Sequence, residues 1–448
     1  MLMSKIPADR TPLAAELAIG PVGLAKFASR AGKNLLNVIP DETRTQTYLR
    51  GPANIHWVCD PDTISEILIT RARTFPKSQF TKNIIGSAVG NGMILAEGEE
   101  WRAQRRRYAP LFSARHLPVV AQEFAQTGLE LSARLRANAG RVDIANAMQD
   151  STLADISKVM FSGSGTVDPE VVREGLRRYT AYISHVSLFD LMGLPKWVPR
   201  SKWFRSTQPV TSMRNLAREV INSRRALNRA EPVDFLDLMI AALDADAEDI
   251  ETTVDNLLTF VVAGHETAAN TMAWGFYLNA LYPEVQDKLR AEIRSVCPEG
   301  PIGVEEVAQM PHLSSHVNET LRLYPAAAFS ARDATEDCEI GGQSYKKGDA
   351  IFLSFYSLHR HEALWENAGA YVPDRFLDWK PKRGQFLPFG DGPRICIGAP
   401  YSETEIRILT ASVLRDHRLS LTDDPLPEPV LTFTMRPSGP VWLDVQPA

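Results

Sequence analysis

The protein has 448 residues, of which 44% are hydrophobic and 23% are charged, and its formal net charge is −5. These values suit a globular protein with a large core and exclude a strongly basic nucleic-acid-binding chain. Its four cysteines, Cys59, Cys297, Cys338 and Cys396, are far apart and include no C-x-x-C pair, so the sequence suggests neither a disulfide framework nor a zinc site. By length alone the chain has room for two or three domains.

The first part of the chain predicts neither a transmembrane helix nor a signal peptide. Between Thr11 and Leu35 the apolar runs are interrupted by charged residues at positions 16, 26, 30 and 33. A membrane-spanning helix needs an uninterrupted apolar run of roughly 20 residues, and no apolar stretch precedes a small-residue cleavage site. We therefore expect a cytoplasmic protein with no membrane anchor and no nucleic-acid partner.

The first third of the chain mixes one short strand with helices. Residues 55–59 predict the strand, and residues 64–70 predict a helix after a turn. Residues 75–95 are rich in Gly, Asn and Ser and show no sustained apolar period, so they are interpreted as a long loop with at most one short helix. Long loops in compact domains are usually functional. Further helices are predicted over residues 97–112, 117–135, 170–191 and 210–230.

The longest predicted helix covers residues 252–282 and ends before Pro283. It is nearly three times the average helix length and apolar on most faces, so we expect it to run through the centre of the protein. After it, a helix ends at Pro325. The remaining predictions are strands at 338–345 and 350–354, a helix at 403–418, and strands at 431–435 and 441–445.

One cysteine lies in a glycine-rich loop, just before the helix predicted to begin near Pro400. Gly392 and Gly398 let backbone N–H groups turn toward the Cys396 sulfur, and the positive end of the helix dipole favours the thiolate that ligates iron. Arg394, two residues before the cysteine, could pair with an anionic group of whatever the sulfur holds. The alternative is a buried structural thiol at a tight turn.

Two side chains of the helix at 97–112 suit a carboxylate. Trp101 and Arg105 are four residues apart and share one face, so an indole N–H and a guanidinium point at one place. The alternative is a solvated basic face, which is the interpretation kept for the neighbouring Arg106 and Arg107.

The middle of the longest helix contains Ala263, Gly264, His265, Glu266 and Thr267. A charge in the middle of a buried helix is costly unless it is used or paired, so Glu266 is a candidate proton carrier. Thr267 can hydrogen-bond to a carbonyl of its own helix and loosen the helix locally, while Ala263 and Gly264 leave space beside it. The alternatives are a structural salt bridge and an ordinary back-bonded threonine. His265 points elsewhere and is not proposed as a ligand.

Four motifs together resemble those of the cytochrome P-450 family, the haem-thiolate monooxygenases. All five specified positions of the haem-binding signature are met in Phe389-x-x-Gly392-x-Arg394-x-Cys396-x-Gly398. The other motifs, in the family's order, are Trp101-x-x-x-Arg105, Ala263-Gly264-x-Glu266-Thr267, and Glu319-x-x-Arg322 followed by Arg375. Family members often have a second threonine where this chain has Ala268, a departure that leaves the acid–alcohol pair intact.

The resemblance implies the cytochrome P-450 fold as one domain over residues 1–448. This fold is mainly α with a smaller β portion, and its long central helix lies over a haem with a proximal cysteine loop. Spacing alone predicts only an ion pair between Glu319 and Arg322, but the resemblance implies a buried structural triad with Arg375. It also implies Cys396 as metal ligand and Thr267 with Glu266 as catalytic proton donors. The implied cofactor-binding residues are Trp101, Arg105, Ala263, Gly264, Arg332, Phe389, Gly392, Arg394, Cys396 and Gly398, with His359 as a further candidate.

The resemblance further implies a haem b-dependent hydroxylase or epoxidase of the soluble bacterial type, expected to be a monomer. It would use dioxygen and two electrons from a ferredoxin-type or flavodoxin-type partner with its reductase, because no flavin or iron–sulfur segment is fused. The expected docking residues are Arg106, Arg107, Lys380, Lys382 and Arg383. The alternatives are a peroxide-dependent peroxygenase or an isomerase on the same fold, and a non-catalytic haem-thiolate sensor or carrier.

The substrate is expected to be a small apolar organic compound, such as a fatty acid, terpenoid, steroid or aromatic. In the resembling family the loop at 75–95 and the helices at 170–191 and 210–230 cover the pocket. The candidate pocket residues are Ile84, Ile85, Val89, Met93, Phe189, Phe260, Ala327, Phe329 and Phe433. Cations near the loop would suit a substrate carboxylate, or would belong to a solvated loop: Arg71, Arg73, Lys77 and Lys82.

Overall fold

A computed structural model describes residues 34–51, 54–161, 168–183, 207–229, 232, 234–245 and 249–448. It is mainly α with a smaller β portion, as the sequence predicts. The helices are α1 (Pro61–Ser65), α2 (Gln79–Val89), α3 (Gly98–Tyr108), α4 (Leu117–Ala137), α5 (Ile144–Phe161), α6 (Pro169–Ile183), α7 (Gln208–Ala226), α8 (Phe235–Ala245), α9 (Ile250–Leu281), α10 (Pro283–Val296), α11 (Val304–Val307), α12 (Pro311–Leu323), α13 (Phe355–Leu358), α14 (Arg375–Asp378) and α15 (Ala399–Asp416).

Within the described ranges the strands form four small sheets. They are β1 (Tyr48–Arg50), β2 (Ile55–Val58), β3 (Gly140–Asp143), β4 (Phe329–Asp333), β5 (Cys338–Ile340), β6 (Gln343–Tyr345), β7 (Ala350–Ser354), β8 (His417–Leu421), β9 (Pro429–Leu431), β10 (Met435–Pro437) and β11 (Trp442–Pro447). The orders are β1-β2-β7-β4, β3-β11-β8, β5-β6 and β9-β10, and all pairs are antiparallel except β2 with β7.

The predicted central helix is confirmed as α9. The Asp249 side chain caps it by accepting a hydrogen bond from the Glu251 N–H, and Pro283 starts the next helix immediately after it. Most of its residues are buried, and it packs against α5, α12 and α15. No helix among the described residues is long and apolar enough to cross a membrane.

The interpretation of residues 75–95 as mainly loop is wrong over eleven residues, because α2 occupies them. The Ser78 hydroxyl caps this helix by accepting from the Thr81 N–H, and Gly90, with φ +54°, ends it. Ile84, Ile85 and Val89 are buried on its inner face, where α2 packs against α9 and β4. Packing against distant elements, rather than a long amphipathic pattern, therefore stabilises this helix.

The four-stranded sheet positions a second segment of the site. The Ser78 N–H donates to the carbonyl of Ala331 over 3.2 Å, and Lys77 forms a bridge with Arg332. The segment before α2 thus runs beside β4. As a result two cations that are far apart in the sequence become neighbours.

The helices predicted at 170–191 and 210–230 correspond to α6 and α7. The two helices pack against each other, and α7 also packs against α9. Residues 184–206, which include the predicted pocket residue Phe189, lie outside the described residues.

Candidate active site

The cysteine loop holds its sulfur with backbone hydrogen bonds. The Cys396 N–H donates to the carbonyl of Phe389 over 2.9 Å, just before α15 begins. The sulfur accepts from the backbone N–H groups of Gly398 and Ala399, at the positive end of that helix. Burial raises the pKa of the thiol, while these N–H groups and nearby cations lower it. The predicted backbone contacts to the sulfur are present, and the sulfur lies on the wall of a cavity.

Gly392, predicted as a cofactor contact, is not part of that wall. Its φ is +72°, and a Cβ there would lie 2.3 Å from the carbonyl oxygen of Leu68. Glycine is required because the loop backbone approaches another chain segment so closely. Gly392 therefore sets the path of the loop, whereas Phe389, Arg394 and Gly398 line the cavity as predicted.

The cavity, of about 430 Å³, lies between the cysteine loop and the middle of α9. Its wall is mostly apolar. Val89 is buried and does not reach it. The predicted pocket residues that do line it are Ile84, Ile85, Met93, Phe260, Ala327, Phe329 and Phe433.

A group of four cations lines one part of the cavity: Lys77, Arg105, Arg332 and Arg394. Arg394 donates to a Glu97 carboxylate oxygen at 2.5 Å and to the Ala96 carbonyl at 2.7 Å. Its guanidinium also lies 4.2 Å from the centre of the Trp101 ring, a cation–π distance. Trp101 and Arg105 thus both lie at the cavity wall, and the ion pair described within this group of four cations is that of Arg394 with Glu97.

These cations are incompletely neutralised. Within the described part of the chain the Lys77 ammonium forms no hydrogen bond or ion pair. Burial, with help from Arg332 and Arg394, lowers the pKa of Lys77 to about 7, and burial lowers the pKa of Arg332 to about 10. Buried cations without anions are costly. The two propionates of a haem would supply the missing negative charge, so the residues present fit that cofactor.

The middle of α9 borders the cavity through Ala263, Gly264 and Thr267. A Cβ at Gly264 would lie 3.1 Å from the Cδ1 of Ile156, so glycine lets α5 pack closely. The Thr267 hydroxyl donates to the Ala263 carbonyl over 2.7 Å. The helix nevertheless stays α-helical through this turn, so the expected local loosening is absent.

The two residues before Thr267 differ in their surroundings. Glu266 is half-buried and is not among the residues that line the cavity. His265 is buried with its Nδ1 2.9 Å from the Thr152 hydroxyl, and burial lowers its pKa to about 4. His265 is therefore a neutral core histidine, in agreement with its exclusion as a ligand.

The predicted structural triad is assembled. Arg322 makes two parallel hydrogen bonds to the Glu319 carboxylate, at 2.7 and 2.8 Å, and Arg375 lies 3.1 Å from the same group. Neither Glu319 nor Arg322 is exposed to solvent. Arg322 also donates to the carbonyls of His359, Ala368 and Ala370, which ties α12 to the segment that precedes the cysteine loop.

His359, a further candidate for the propionates, does not contact the cavity. Its Nε2 accepts from the Leu387 N–H at 2.8 Å, and burial lowers its pKa well below the usual value. His359 therefore supports the cysteine loop from behind.

Sequence reasoning missed several residues of the site. Lys77 was considered only as a substrate contact, and Glu97 was not considered as a partner of Arg394. Asp155 and Glu405, which both line the cavity, gave no local signal because they belong to helices far apart in the sequence. The one available hint was Glu405 four residues after Tyr401, on the cavity face of the helix that follows the cysteine.

Comparison with known proteins agrees with this geometry. The family model for cytochrome P450 matches residues 44–443. The chain is 28% identical to a cytokinin hydroxylase of Arabidopsis thaliana, covering 87% of this chain and 78% of that protein. It is 26% identical to an ultra-long-chain fatty acid omega-hydroxylase of Homo sapiens, covering 86% and 78%.

A solved structure shares the fold. The crystal structure of the cytochrome P450DA heme domain superimposes with a TM-score of 0.76 at 24% identity, covering 88% of each chain. The family model extends over most of the chain and includes the cysteine loop, the central helix and the cation group. The chain therefore belongs to the cytochrome P450 family and is a haem-thiolate monooxygenase.

Proposed function

We propose that the protein binds haem b and hydroxylates or epoxidises a small apolar organic substrate. The observation that carries the proposal is one apolar cavity bordered by the Cys396 sulfur, the Thr267 hydroxyl and an under-neutralised group of cations. The overall reaction inserts one atom of dioxygen into a C–H or C=C group. The other atom leaves as water after two electrons and two protons are taken up.

The cofactor assignment follows from the donor set. Cys396 would hold the iron, and Lys77, Arg105, Arg332 and Arg394 would bind the two propionates, with Trp101 packed on Arg394. When bound, the haem supplies the iron at which dioxygen is activated, and a thiolate ligand favours O–O cleavage. The chain contributes the anchoring, the apolar surroundings and the protons.

Thr267 is proposed to pass protons to the dioxygen site, with Glu266 as the acid that replenishes it. In the structure the Thr267 proton is donated to the Ala263 carbonyl. Its hydroxyl can therefore accept a hydrogen bond from the cavity and must rotate to donate one. Adjacent side chains on a helix do not face each other, so Glu266 must turn toward the cavity before it can replenish Thr267.

The substrate is proposed to be held by apolar contacts alone. The predicted pocket residues that line the cavity come from α2 and the segment after it, from α9, from β4 and the segment before it, and from the tail. They are Ile84, Ile85, Met93, Phe260, Ala327, Phe329 and Phe433. Lys77 belongs to the propionate group, and Arg71 pairs with Glu66 at 2.8 Å, which weakens the case for a carboxylate contact at either residue. Fatty acids, terpenoids, steroids and aromatics all suit this lining, and two relatives are named for cytokinin and fatty acid hydroxylation.

Electrons are proposed to come from a ferredoxin-type or flavodoxin-type partner. Arg106, Lys380, Lys382 and Arg383 are exposed, and they would attract the acidic face of such a partner. Reversing these charges should slow reduction and leave substrate binding unchanged. Reduction at the original rate would refute this docking surface.

The decisive experiment combines spectra with product analysis. Ferric protein is titrated with compounds of each substrate class, and the class that displaces bound water shifts the spectrum. Product and peroxide are then measured for the natural sequence, for Thr267→Ala and for the control Thr271→Ala, which changes a back-bonded threonine one turn further along α9.

A monooxygenase makes product only with dioxygen and reductant, and Thr267→Ala diverts its electrons to peroxide while the control does not. Product formed from peroxide without reductant would favour the peroxygenase alternative. No turnover under any condition would favour a sensor or carrier, and no haem absorption band in haem-replete protein would refute the assignment.

A further inference from the structure

Two carboxyl groups on the cavity wall have no role in the function proposed above. Asp155 belongs to α5 and Glu405 to α15, and both line the cavity that Thr267 also borders. Asp155 is 2% exposed and Glu405 is 8% exposed. Neither carboxyl belongs to the cation group. In the described part of the chain no arginine or lysine forms an ion pair with either of them.

The hydrogen bonding of Asp155 requires a proton on its neighbour. The Thr127 hydroxyl donates to Asp155 Oδ1. Asp155 Oδ2 is buried, and no other described residue donates to it. Glu405 is the neighbouring carboxyl, and the two side chains are close enough for each to shift the pKa of the other. Two carboxylates cannot donate to each other, so the contact forms only if one acid proton is shared between them.

Burial, more than the charges around the pair, raises the pH at which that proton leaves. Lys158 on α5 lowers the pKa of Asp155 and Glu123 on α4 raises it, but Lys158 is also paired with Glu130 at 3.3 Å. Burial dominates and raises the pKa of Asp155 to about 7. Burial and the neighbouring Asp155 raise the pKa of Glu405 well above its usual value. An acid that holds its proton near neutral pH is suited to proton transfer.

Other titratable groups on the wall are less suited to this task. Tyr401 donates its hydroxyl proton to the Leu111 carbonyl, and burial raises its pKa to about 12. Lys77 belongs to the cation group that would bind propionates. The Thr267 proton is engaged with its own helix, while each turnover consumes two protons.

We propose that Asp155 and Glu405 share one proton and exchange it with water in the cavity, as a second proton source beside Thr267 and Glu266. One carboxyl O–H bond of the pair breaks, a cavity water receives the proton, and the pair gains one negative charge. A proton from bulk water later restores the O–H bond, and no electrons are transferred. This inference rests on the monooxygenase function, but the shared proton can be tested without turnover.

The first measurement is infrared difference spectroscopy of the ferric, haem-loaded full chain. Spectra are compared at about one pH unit below and above the pKa of about 7. We expect a protonated-carboxyl carbonyl band that fades with rising pH and disappears in Glu405→Gln. The control is Glu403→Gln, on the same helix, where the glutamate pairs with Arg407 at 3.3 Å instead. A titrating band that survives in Glu405→Gln would overturn the shared proton.

The second measurement is the fraction of electrons that appears in product rather than peroxide, as a function of pH. The natural sequence and Glu403→Gln should lose coupling as the pair deprotonates. Glu405→Gln should show a several-fold lower and pH-independent fraction, with an unchanged ferric spectrum and substrate affinity. If the band is lost but coupling and its pH profile stay as in the natural sequence, the pair is purely structural and the proposal fails.

A double variant covers the case in which a single change prevents folding. Asp155→Asn combined with Glu405→Gln keeps the shape and allows an amide-to-amide hydrogen bond, yet contains no acid proton. It should behave as Glu405→Gln does, and wild-type coupling in it would overturn the proposal. Failure of the monooxygenase function itself is recognised separately, because the natural sequence would then form no dioxygen-dependent product while the infrared result stands.

Discussion

Two buried glutamates of this protein have oppositely charged types of neighbour: arginines in one case and another carboxyl group in the other. Glu319 has no exposed surface and faces Arg322 and Arg375, and it also accepts from the Val372 N–H. Glu405 is 8% exposed and faces Asp155. Burial is expensive for a carboxylate in either place. The first is neutralised by fixed cations and the second by a proton.

The two sites differ in whether their net charge can change with pH. An arginine keeps its charge at any pH at which a protein folds, so the Glu319 network is permanent and suits its position behind the cysteine loop. A shared proton can leave, so the Asp155–Glu405 pair can change its charge, and it lies where water in the cavity can reach it. Burial alone therefore does not decide the charge of a carboxyl; its partner does.

The largest expected effect comes from breaking the permanent network. Glu319→Ala leaves the Arg322 guanidinium buried beside an uncompensated Arg375, which should cost about 3–5 kcal/mol of the free energy of unfolding. Denaturant unfolding followed by circular dichroism would measure it. The matched control is Asp287→Ala, because Asp287 pairs with Arg418 at a surface where both are about half exposed, and such pairs contribute about 0–1 kcal/mol. Equal losses in both variants would contradict this view of Glu319.

The second effect is a pH dependence that only the proton-sharing pair produces. The pKa of Asp155 is raised, so the pair stabilises the fold below the unfolded value near 4, and this stabilisation is lost as the pH rises through about 7. One extra proton bound by the folded state gives a slope of at most about 1.4 kcal/mol per pH unit. Glu405→Gln should flatten the slope of unfolding free energy against pH, and Glu403→Gln should not. An unchanged slope in Glu405→Gln would mean that other groups produce it.

The same comparison shows which residues of the site could be predicted from the sequence. Cys396, Trp101 with Arg105, and the residues of the central helix were identified because each motif is local, with partners a few positions apart. Glu319 and Arg322 were identified for the same reason. Asp155 and Glu405 were not, because their contact depends on how α5 packs against α15. For a related reason the sequence allows only a short helix where Gln79–Val89 forms one of eleven residues, since tertiary packing and a serine cap stabilise this helix without a long amphipathic period.

The third effect concerns a cation that lacks a partner until cofactor binds. Lys77→Met removes a half-buried ammonium that forms no ion pair in the described chain. The apoprotein should become more stable by about 1–3 kcal/mol, while the loaded protein should release haem faster. Denaturant unfolding of apoprotein and haem transfer to an excess of apomyoglobin would measure the two changes. The control is Lys82→Met, outside the cavity wall, and slower haem loss in Lys77→Met would contradict the propionate role.

The smallest effect is expected where a buried carboxylate meets a partly exposed cation. Asp255 on α9 accepts from Arg214 on α7 at 2.5 Å and from the Asn91 N–H at 2.8 Å. One carboxylate thus joins a predicted lid helix to the segment that follows α2. Arg214 is 21% exposed, so Arg214→Ala should cost no more than about 1 kcal/mol in stability.

The effect of Arg214→Ala should instead appear in substrate exchange. If the Arg214–Asp255 contact holds the covering segments closed, both association and dissociation of substrate should be faster in the variant, with a nearly unchanged equilibrium constant. Raising the ionic strength should reproduce only a small part of this in the natural sequence, because salt screens partly buried ion pairs much less than exposed ones. The control is Arg225→Ala, which removes the exposed contact of the same helix with Asp244. Unchanged exchange rates would mean that substrate enters and leaves without breaking the Arg214–Asp255 contact. Asp255 would then stabilise α9 without controlling access to the cavity.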